Sequence, residues 1–279
     1  MLQRNVMDDR SWPAVVPQLV RTLERRWSVT AAAPFSFGEH TSWVAPASRA
    51  DGTGSVLKIA RRHAESMHEA DGLRVWDGEG TVRIYASAEL PEATALLLER
   101  CVPGTALSTR PEPEQDAVIA RLLPRLWRAR PTGHRFRPLH EMCDAWAEEF
   151  EENAVGAGTV IDGGLAREGI ALLRELPRTA EHSVLLCTDL HAGNVLSAER
   201  EPWLVIDPKP YVGDPAYDVV QHLLNCALLW ADPLGLATRI ADLVGVDRER
   251  VRLWLFARSV QESQRDGRLI TVARRLRPT

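Results

Sequence analysis

Three residues carry the first chemical signal: Asp189, Asn194 and Asp207. The segment Asp189-Leu-His-Ala-Gly-Asn194 lies between the apolar runs Val184–Leu186 and Val195–Leu196. Thirteen residues after Asn194, the run Trp203-Leu-Val-Ile ends on Asp207. A carboxylate can accept the proton of an attacking hydroxyl. An amide oxygen and a second carboxylate are hard oxygen donors of the kind that magnesium takes. A base, an amide after four intervening residues, and a carboxylate at the end of a strand together have the spacing used for phosphoryl transfer to an alcohol. Asp189 is read as the base, and Asn194 and Asp207 as metal ligands. Asn and Asp also populate turns for backbone reasons alone. The third member, at the end of an apolar run, is what favours the chemical reading.

The chain that must position these residues has 279 residues, 45% of them hydrophobic and 26% charged, with a net charge of −4. That length allows one or two domains, and the apolar content excludes disorder as the main state. Cys101, Cys143, Cys187 and Cys226 are scattered without a C-x-x-C pair, which argues against a disulfide scaffold and against zinc. The start, MLQRNVMDDR, has no apolar run of a secretory leader. No apolar stretch of about 18 residues exists to span a membrane. A cytoplasmic monomer with reduced thiols and no membrane contact is expected. Arg121, Arg125, Arg128 and Arg130 suggest a basic helix face, but the negative net charge and the lack of interleaved aromatics argue against nucleic acid. The histidines form no H-E-x-x-H pattern, and no G-x-S-x-G elbow is present.

The elements fall into two groups. Residues 14–27 read as an amphipathic helix. Residues 28–101 are strand-rich, with two strands around a turn at Phe37-Gly38-Glu39, a third at Ser55–Ala60, a helix over 63–77, and strands in TVRIYA and ATALLLERC. Asp51-Gly52 is a hairpin signal. Beyond Pro103-Gly104 the chain turns helical, with helices expected at 112–130, 138–153, 163–176, 216–231 and 248–265. The carboxylate-rich segment 184–215 interrupts them as short strands and loops, where chemistry tends to reside.

The segment Cys187-Thr-Asp-Leu-His-Ala-Gly-Asn194, with Ile206-Asp207, resembles the aminoglycoside phosphotransferase superfamily, whose signature is His-Gly-Asp-Leu-His-x-x-Asn followed by Ile-Asp. The continuation Pro208-Lys-Pro-Tyr-Val-Gly-Asp-Pro-Ala-Tyr-Asp218 is most similar to the aminoglycoside 6-phosphotransferase and hydroxyurea phosphotransferase branch. The departure is Cys187-Thr188 in place of His-Gly. The resemblance implies an α+β, two-lobed, protein-kinase-like fold. A small antiparallel-sheet lobe over 1–102 would bind nucleotide, and a larger, mostly helical lobe over 103–279 would hold the catalytic and substrate residues. It implies ATP and magnesium as cofactors. The acceptor would be a polar or cationic small molecule, a streptomycin-like aminoglycoside or hydroxyurea. A metabolic kinase for a sugar, amino alcohol or amino acid would share the fold, as would a nucleotide-binding module without catalysis. Retention of Lys58, Asp189, Asn194 and Asp207 together argues against the last.

Of 34 basic residues only Lys58 and Lys209 are lysine. Lys58 lies in the strand SVLKIA, and an unpaired ammonium inside an apolar strand is costly. In kinase-like lobes such a lysine holds the ATP phosphates and is held by a helix glutamate. Glu69, eleven residues on, is the favoured partner and Glu65 the competitor. A solvated edge-strand lysine is the plain alternative. Lys209, two residues after Asp207, could stabilise the transferred phosphoryl group, touch substrate, or lie in an exposed loop. Ser36 and the backbone near Gly38 could contact phosphate, though a hairpin turn would look the same. By position, the backbone of Glu99 and Cys101 would pair with adenine. Asp214 and Asp218 precede a helix and are read as structural, one of them a brace for the catalytic loop. Glu148 and Glu152, in an acidic run on a helix, could meet a cationic acceptor or form a solvated face.

Overall fold

The computed structural model describes residues 12–35, 42–62, 67–133, 136–156 and 161–278. Helix α1 (Trp12–Trp27) precedes strands β1 (Val29–Ala31), β2 (Ser42–Arg49) and β3 (Gly54–Arg61), then α2 (Glu69–Trp76), β4 (Ile84–Glu89) and β5 (Ala93–Glu99). The strands form one antiparallel sheet in the order β1-β2-β3-β5-β4. Successive side chains on a strand point to opposite faces. Leu57 and Ile59, with Trp43, Ala45, Ala95 and Leu97, therefore pack in one apolar cluster beneath Trp12, Val16 and Leu23 of α1. Val56, Leu96 and Leu98 pack on the other side with Leu73 of α2. Lys58 pairs with Val44 and Leu96 across the sheet and shares that second face.

Beyond the link at 100–106 the chain is mostly helical: α3 (Glu112–Leu126), α4 (Leu139–Gly156), α5 (Gly163–Glu175), α6 (Pro215–Leu223), α7 (Leu228–Ala231), α8 (Pro233–Val244), α9 (Arg248–Glu262) and α10 (Leu269–Leu276). Their apolar faces share one core in which Trp254, Phe256 and Tyr217 are fully enclosed. Two short hairpin-like pairs interrupt the helices: β6 (Val184–Leu186) with β9 (Tyr211–Gly213), and β7 (Val195–Ser197) with β8 (Trp203–Val205). The small antiparallel sheet followed by a larger helical lobe is the expected architecture.

The details differ from the expectation in two places. The single helix expected over 216–231 is broken, because the Glu112 carboxylate accepts from the Ala227 and Leu228 amides and starts α7 afresh. Helices α8 and α10 were not expected. Helix α8 is bounded by Asp232, which accepts from the Gly235 amide, by Pro233 in the first turn, and by Gly245 in the left-handed conformation. The cap signals Asp232-Pro233 and Gly245 were present in the sequence but were not read as helix ends. Among the described residues no helix is long and apolar enough to cross a membrane.

Candidate active site

Two cavities open where the lobes and the carboxylate-rich loops meet. The first, about 370 Å³, lies between the sheet and the β7–β8 pair. Val44 and Val56 line it from the sheet, Leu196 and Ile206 from the larger lobe. Apolar walls on opposite sides suit a flat aromatic ring. Strand β5 ends at Glu99, and the chain then runs along the cavity through Cys101 to Gly104. The Glu99 amide donates to the Arg83 carbonyl at 2.8 Å. Its carboxylate is held by Arg200 at 2.8 Å through both oxygens. Arg200, in the β7–β8 turn, also donates to the Gly78 and Thr81 carbonyls, so it ties the turn to the smaller lobe. The Cys101 thiol is pushed up to about 11 by burial and by the neighbouring Glu99 carboxylate, so it stays neutral.

The inner end of this cavity is charged. Lys58 Nζ lies 2.8 and 2.7 Å from the two Glu69 oxygens and 2.6 Å from Asp207 Oδ1. Lys58 and Glu69 are only 7% and 4% exposed, so the ion pair is the ammonium's compensation for burial. Burial pulls the Lys58 pKa down, but Glu69 and Asp207 together outweigh it and hold the group protonated. Glu65 lies outside the described residues, as does Ser36. Glu69 reaches Lys58 because α2 docks closely on the loop after Asp207. A Cβ on Gly72 would stand 2.3 Å from Pro210 Cγ, so only glycine permits that approach.

The loop 187–194 presents the other functional groups. Asn194 Nδ2 donates to the Asp189 carbonyl at 3.0 Å, which leaves Oδ1 as the possible ligand atom. The Ile206 amide donates to the Asn194 carbonyl at 2.9 Å and links that loop to Asp207. Asp207 has a φ of +52° and a half-exposed carboxylate facing the cavity. An amide oxygen and a carboxylate on adjoining loops form a hard-oxygen donor set that fits magnesium, which keeps several waters as its remaining ligands.

Asp218 holds the loop in shape. Its carboxylate is fully buried and accepts from the Cys187 amide at 3.0 Å, the Thr188 amide at 2.7 Å and Trp127 Nε1 at 3.0 Å. Burial raises its pKa to about 6 against those three donors. Asp214 instead caps α6 through the Ala216 amide and binds Arg250 and Trp254. Thr188 has a φ of +51°, a conformation that disfavours β-branched residues and explains why the related signature carries glycine there. Its hydroxyl donates to the Lys209 carbonyl at 2.5 Å.

The second cavity, about 180 Å³, lies beside Asp189. Lys209 Nζ is 2.8 Å from Asp189 Oδ2, and Gln221 Nε2 donates to Asp189 Oδ1 at 3.2 Å. Met142 and Trp146 line it from α4, and Arg258 and Glu262 from α9. Glu148 and Glu152 are exposed and line neither cavity. Helical periodicity places them on the far side from Met142 and Trp146, and the run's Glu151 pairs with Arg174 instead. Gln221, Arg258, Glu262 and Arg200 were not singled out in the sequence. Gln221 had one available signal, its place one turn after Asp218 on α6.

Asp116, His222 and Cys226 form a third titratable cluster, their ligand atoms all within 4.8 Å of one another. His222 Nε2 is 2.7 Å from Asp116 Oδ1, closer than the roughly 3.3 Å between two ligands sharing a tetrahedral ion. Arg239 lies 2.7 Å from the other oxygen. The Arg239–Asp116 ion pair and the His222 hydrogen bond to Asp116 tie α3, α6 and α8 together.

A small sheet lobe with a lysine–glutamate pair, facing a helical lobe with an Asp–Asn–Asp loop, defines a protein-kinase-like phosphotransferase. The chain belongs to the aminoglycoside/hydroxyurea antibiotic resistance kinase family, whose pattern it matches over residues 26–268. It is 39% identical over 254 residues to the hydroxyurea phosphotransferase of Kitasatospora aureofaciens, covering 88% of this chain and 72% of that protein. It is 34% identical over 264 residues to the streptomycin 6-kinase of Streptomyces glaucescens, covering 92% and 84%. Among solved structures, an aminoglycoside phosphotransferase crystallised with ADP and hygromycin B superposes with a TM-score of 0.64 at 18% identity, covering 94% of this chain and all of that one. At that identity the likeness is one of fold. The protein is a small-molecule kinase with an alcohol group as acceptor.

Proposed function

We propose that the protein transfers the γ-phosphoryl group of ATP to a hydroxyl of a small antibiotic in the cytoplasm and thereby confers resistance. The supporting observation is the arrangement of Lys58, Glu69 and Asp207 at the inner end of one cavity, with Asn194 bonded to both the Asp189 and the Asp207 segments. Residues 1–102 bind the nucleotide and 103–279 the acceptor. The adenine ring lies between Val44, Val56, Leu196 and Ile206 and pairs with the backbone at Glu99 and Cys101. Lys58 holds the phosphates as a compact point charge. Asn194 Oδ1 and Asp207 hold magnesium, which when bound neutralises charge on the β- and γ-phosphates. Asp189 orients the acceptor hydroxyl and takes its proton. Lys209, paired to Asp189, positions that carboxylate. Catalysis by these residues is mostly positioning and electrostatic stabilisation.

The acceptor is of the kind named in the relatives, hydroxyurea or a streptomycin-like aminoglycoside. Purified protein with Mg-ATP, offered aminoglycosides, hydroxyurea and simple metabolic alcohols, should add one phosphoryl group to an antibiotic, as read by mass spectrometry. Turnover confined to a sugar or amino alcohol would replace the resistance reading with a metabolic one.

A further inference from the structure

Helix α6 (Pro215–Leu223) holds three consecutive residues of the loop that carries Asp189. Asp218, in its first turn, accepts from the Cys187 and Thr188 amides at 3.0 and 2.7 Å and fixes the main chain. One turn later, Gln221 Nε2 donates to Asp189 Oδ1 at 3.2 Å and reaches the side chain itself. Residues three and four apart share a helix face, so both contacts come from one rigid surface. The end of that surface is secured as well. Asn225 Nδ2 donates to the Gln221 carbonyl at 2.8 Å, because the Asn225 main-chain amide goes to the His222 carbonyl instead.

The Asp189 carbonyl accepts from Asn194, which places the main chain but not the plane of the carboxylate. The terminal torsion of an aspartate is broad. Lys209 engages Oδ2 at 2.8 Å, but an ammonium on a flexible stem carries three equivalent donors and sets no plane. Gln221 supplies the second point that a plane needs. An ionised carboxylate has about four acceptor sites, about two on each oxygen. Lys209 and Gln221 take one on each oxygen and leave one on each for an acceptor hydroxyl.

On the phosphotransferase reading above, we propose that Gln221 is a positioning residue for the transfer: it fixes the plane of the Asp189 carboxylate so that an oxygen faces the acceptor hydroxyl. In the transfer, the acceptor oxygen bonds to the γ-phosphorus and the bond from that phosphorus to the β-bridging oxygen breaks. The hydroxyl proton passes to Asp189, and ADP leaves. A carboxylate turned out of plane meets that proton from the wrong direction, and misplaced reacting groups slow the chemical step. Gln221 is neutral, so it orients Asp189 without competing for the Lys209 ion pair. It lines the cavity beside Asp189 and not the one beside the sheet, so its loss should act on turnover and spare the nucleotide.

The test measures kcat and the KM for ATP in Gln221→Met, Asp189→Ala and the double variant, with hydroxyurea, streptomycin and simple metabolic alcohols as acceptors. Methionine keeps the length and helix propensity of glutamine but donates nothing. It should lower kcat by about tenfold, the usual scale for a hydrogen bond to a charged group. The KM for ATP and the calorimetric affinity for Mg-ADP should stay unchanged. In the Asp189→Ala background no carboxylate remains to be oriented, so the same substitution should change the residual kcat by less than about twofold. Gln221→Glu sets a like charge against Asp189 and should lower kcat further than Gln221→Met. A kcat unmoved in Gln221→Met, or one that falls equally in both backgrounds, overturns the proposal and leaves the phosphotransferase reading intact. So does a fall in Mg-ADP affinity that matches the fall in kcat, the mark of a residue that only holds the fold. A wild type that transfers to none of these acceptors overturns the phosphotransferase reading and the proposal with it.

Discussion

The two cavities balance their charges differently: one leaves a carboxylate in excess, and the other pairs every carboxylate with a cation. At the inner end of the cavity beside the sheet two carboxylates, Glu69 and Asp207, share the ammonium of Lys58. The surplus there is negative, and the half-exposed Asp207 carboxylate faces the open cavity, as the proposed metal site requires. In the cavity beside Asp189, the carboxylates Asp189 and Glu262 face Lys209, Arg258 and Arg265, and Glu149 at the rim pairs with Arg265, so the charges balance. The first cavity is walled by strands and a link whose backbone lies against it, and the second by side chains from helices α4, α6 and α9. Phosphate and metal chemistry is common to every acceptor, so it resides in loops of fixed spacing. On the proposed reading, acceptor choice falls to helix faces, where one substitution alters charge without disturbing the fold.

Breaking each cavity separately gives the largest effects. Asp207→Ala should abolish turnover and weaken Mg-ATP binding, because it removes a metal ligand and a partner of Lys58. Asp189→Asn should leave Mg-ATP affinity near normal and lower kcat by about 10²–10⁴-fold, the usual cost of losing a general base. Calorimetry with steady-state kinetics on both variants reads the separation. Nucleotide affinity falling equally in the two would merge the roles assigned to these carboxylates.

That asymmetry also governs what is legible in the sequence. Asp189, Asn194 and Asp207 occupy a single stretch of sequence, and their spacing is what suggests a base and two metal ligands. Lys58 was conspicuous as one of only two lysines in a chain that otherwise uses arginine. The sheet followed from alternation and the hairpin signal. The acceptor cavity had no such signature, because Trp146, Gln221 and Arg258 converge only when α4, α6 and α9 pack together. An acidic run at 148–152 was the visible feature of α4, yet the helix presents Met142 and Trp146 to the cavity. Gly72 likewise reads as an ordinary glycine in a helix, and its close approach to Pro210 exists only in the folded chain.

A smaller change sharpens the nucleotide side. In Lys58→Arg the charge remains, but a planar fork replaces a compact ammonium between Glu69 and Asp207. The KM for ATP should rise and kcat fall, by on the order of tenfold each. Acceptor selectivity should not move, because Lys58 lines only the other cavity. Wild-type kinetics in this variant would return Lys58 to a purely structural ion pair.

Asp218 braces the loop from beneath and should appear in the pH profile. Its three donors need an ionised carboxylate, and protonation places an O–H among N–H groups. Its pKa near 6 therefore predicts that kcat falls as pH drops through about 6. Stability from this group runs the other way. The folded pKa is raised above the usual 3.8, so the folded state holds the proton more tightly. Its contribution is complete below about pH 4 and is lost as pH rises through about 6, roughly 3 kcal/mol in all. Trp127→Phe removes a donor that stabilises the carboxylate, so the acid limb of kcat should move to higher pH. A limb that stays fixed in Trp127→Phe assigns it to another group.

The smallest expected effect tests the loop backbone itself. Thr188 at φ +51° bears the strain of a side chain in the left-handed region, about 1–2 kcal/mol. Thr188→Gly relieves it, but loses the hydroxyl bond to the Lys209 carbonyl, worth about 1 kcal/mol, and adds about 0.5–1 kcal/mol of chain entropy. The net change in urea unfolding should lie within about 1 kcal/mol of wild type. Thr188→Ala loses the same bond, keeps a Cβ in the strained conformation and should be destabilised by about 1 kcal/mol. The glycine variant should therefore be the more stable of the two. If alanine equals or exceeds glycine, the strain at 188 is negligible, and the hydroxyl bond alone explains why threonine is tolerated beside Asp189.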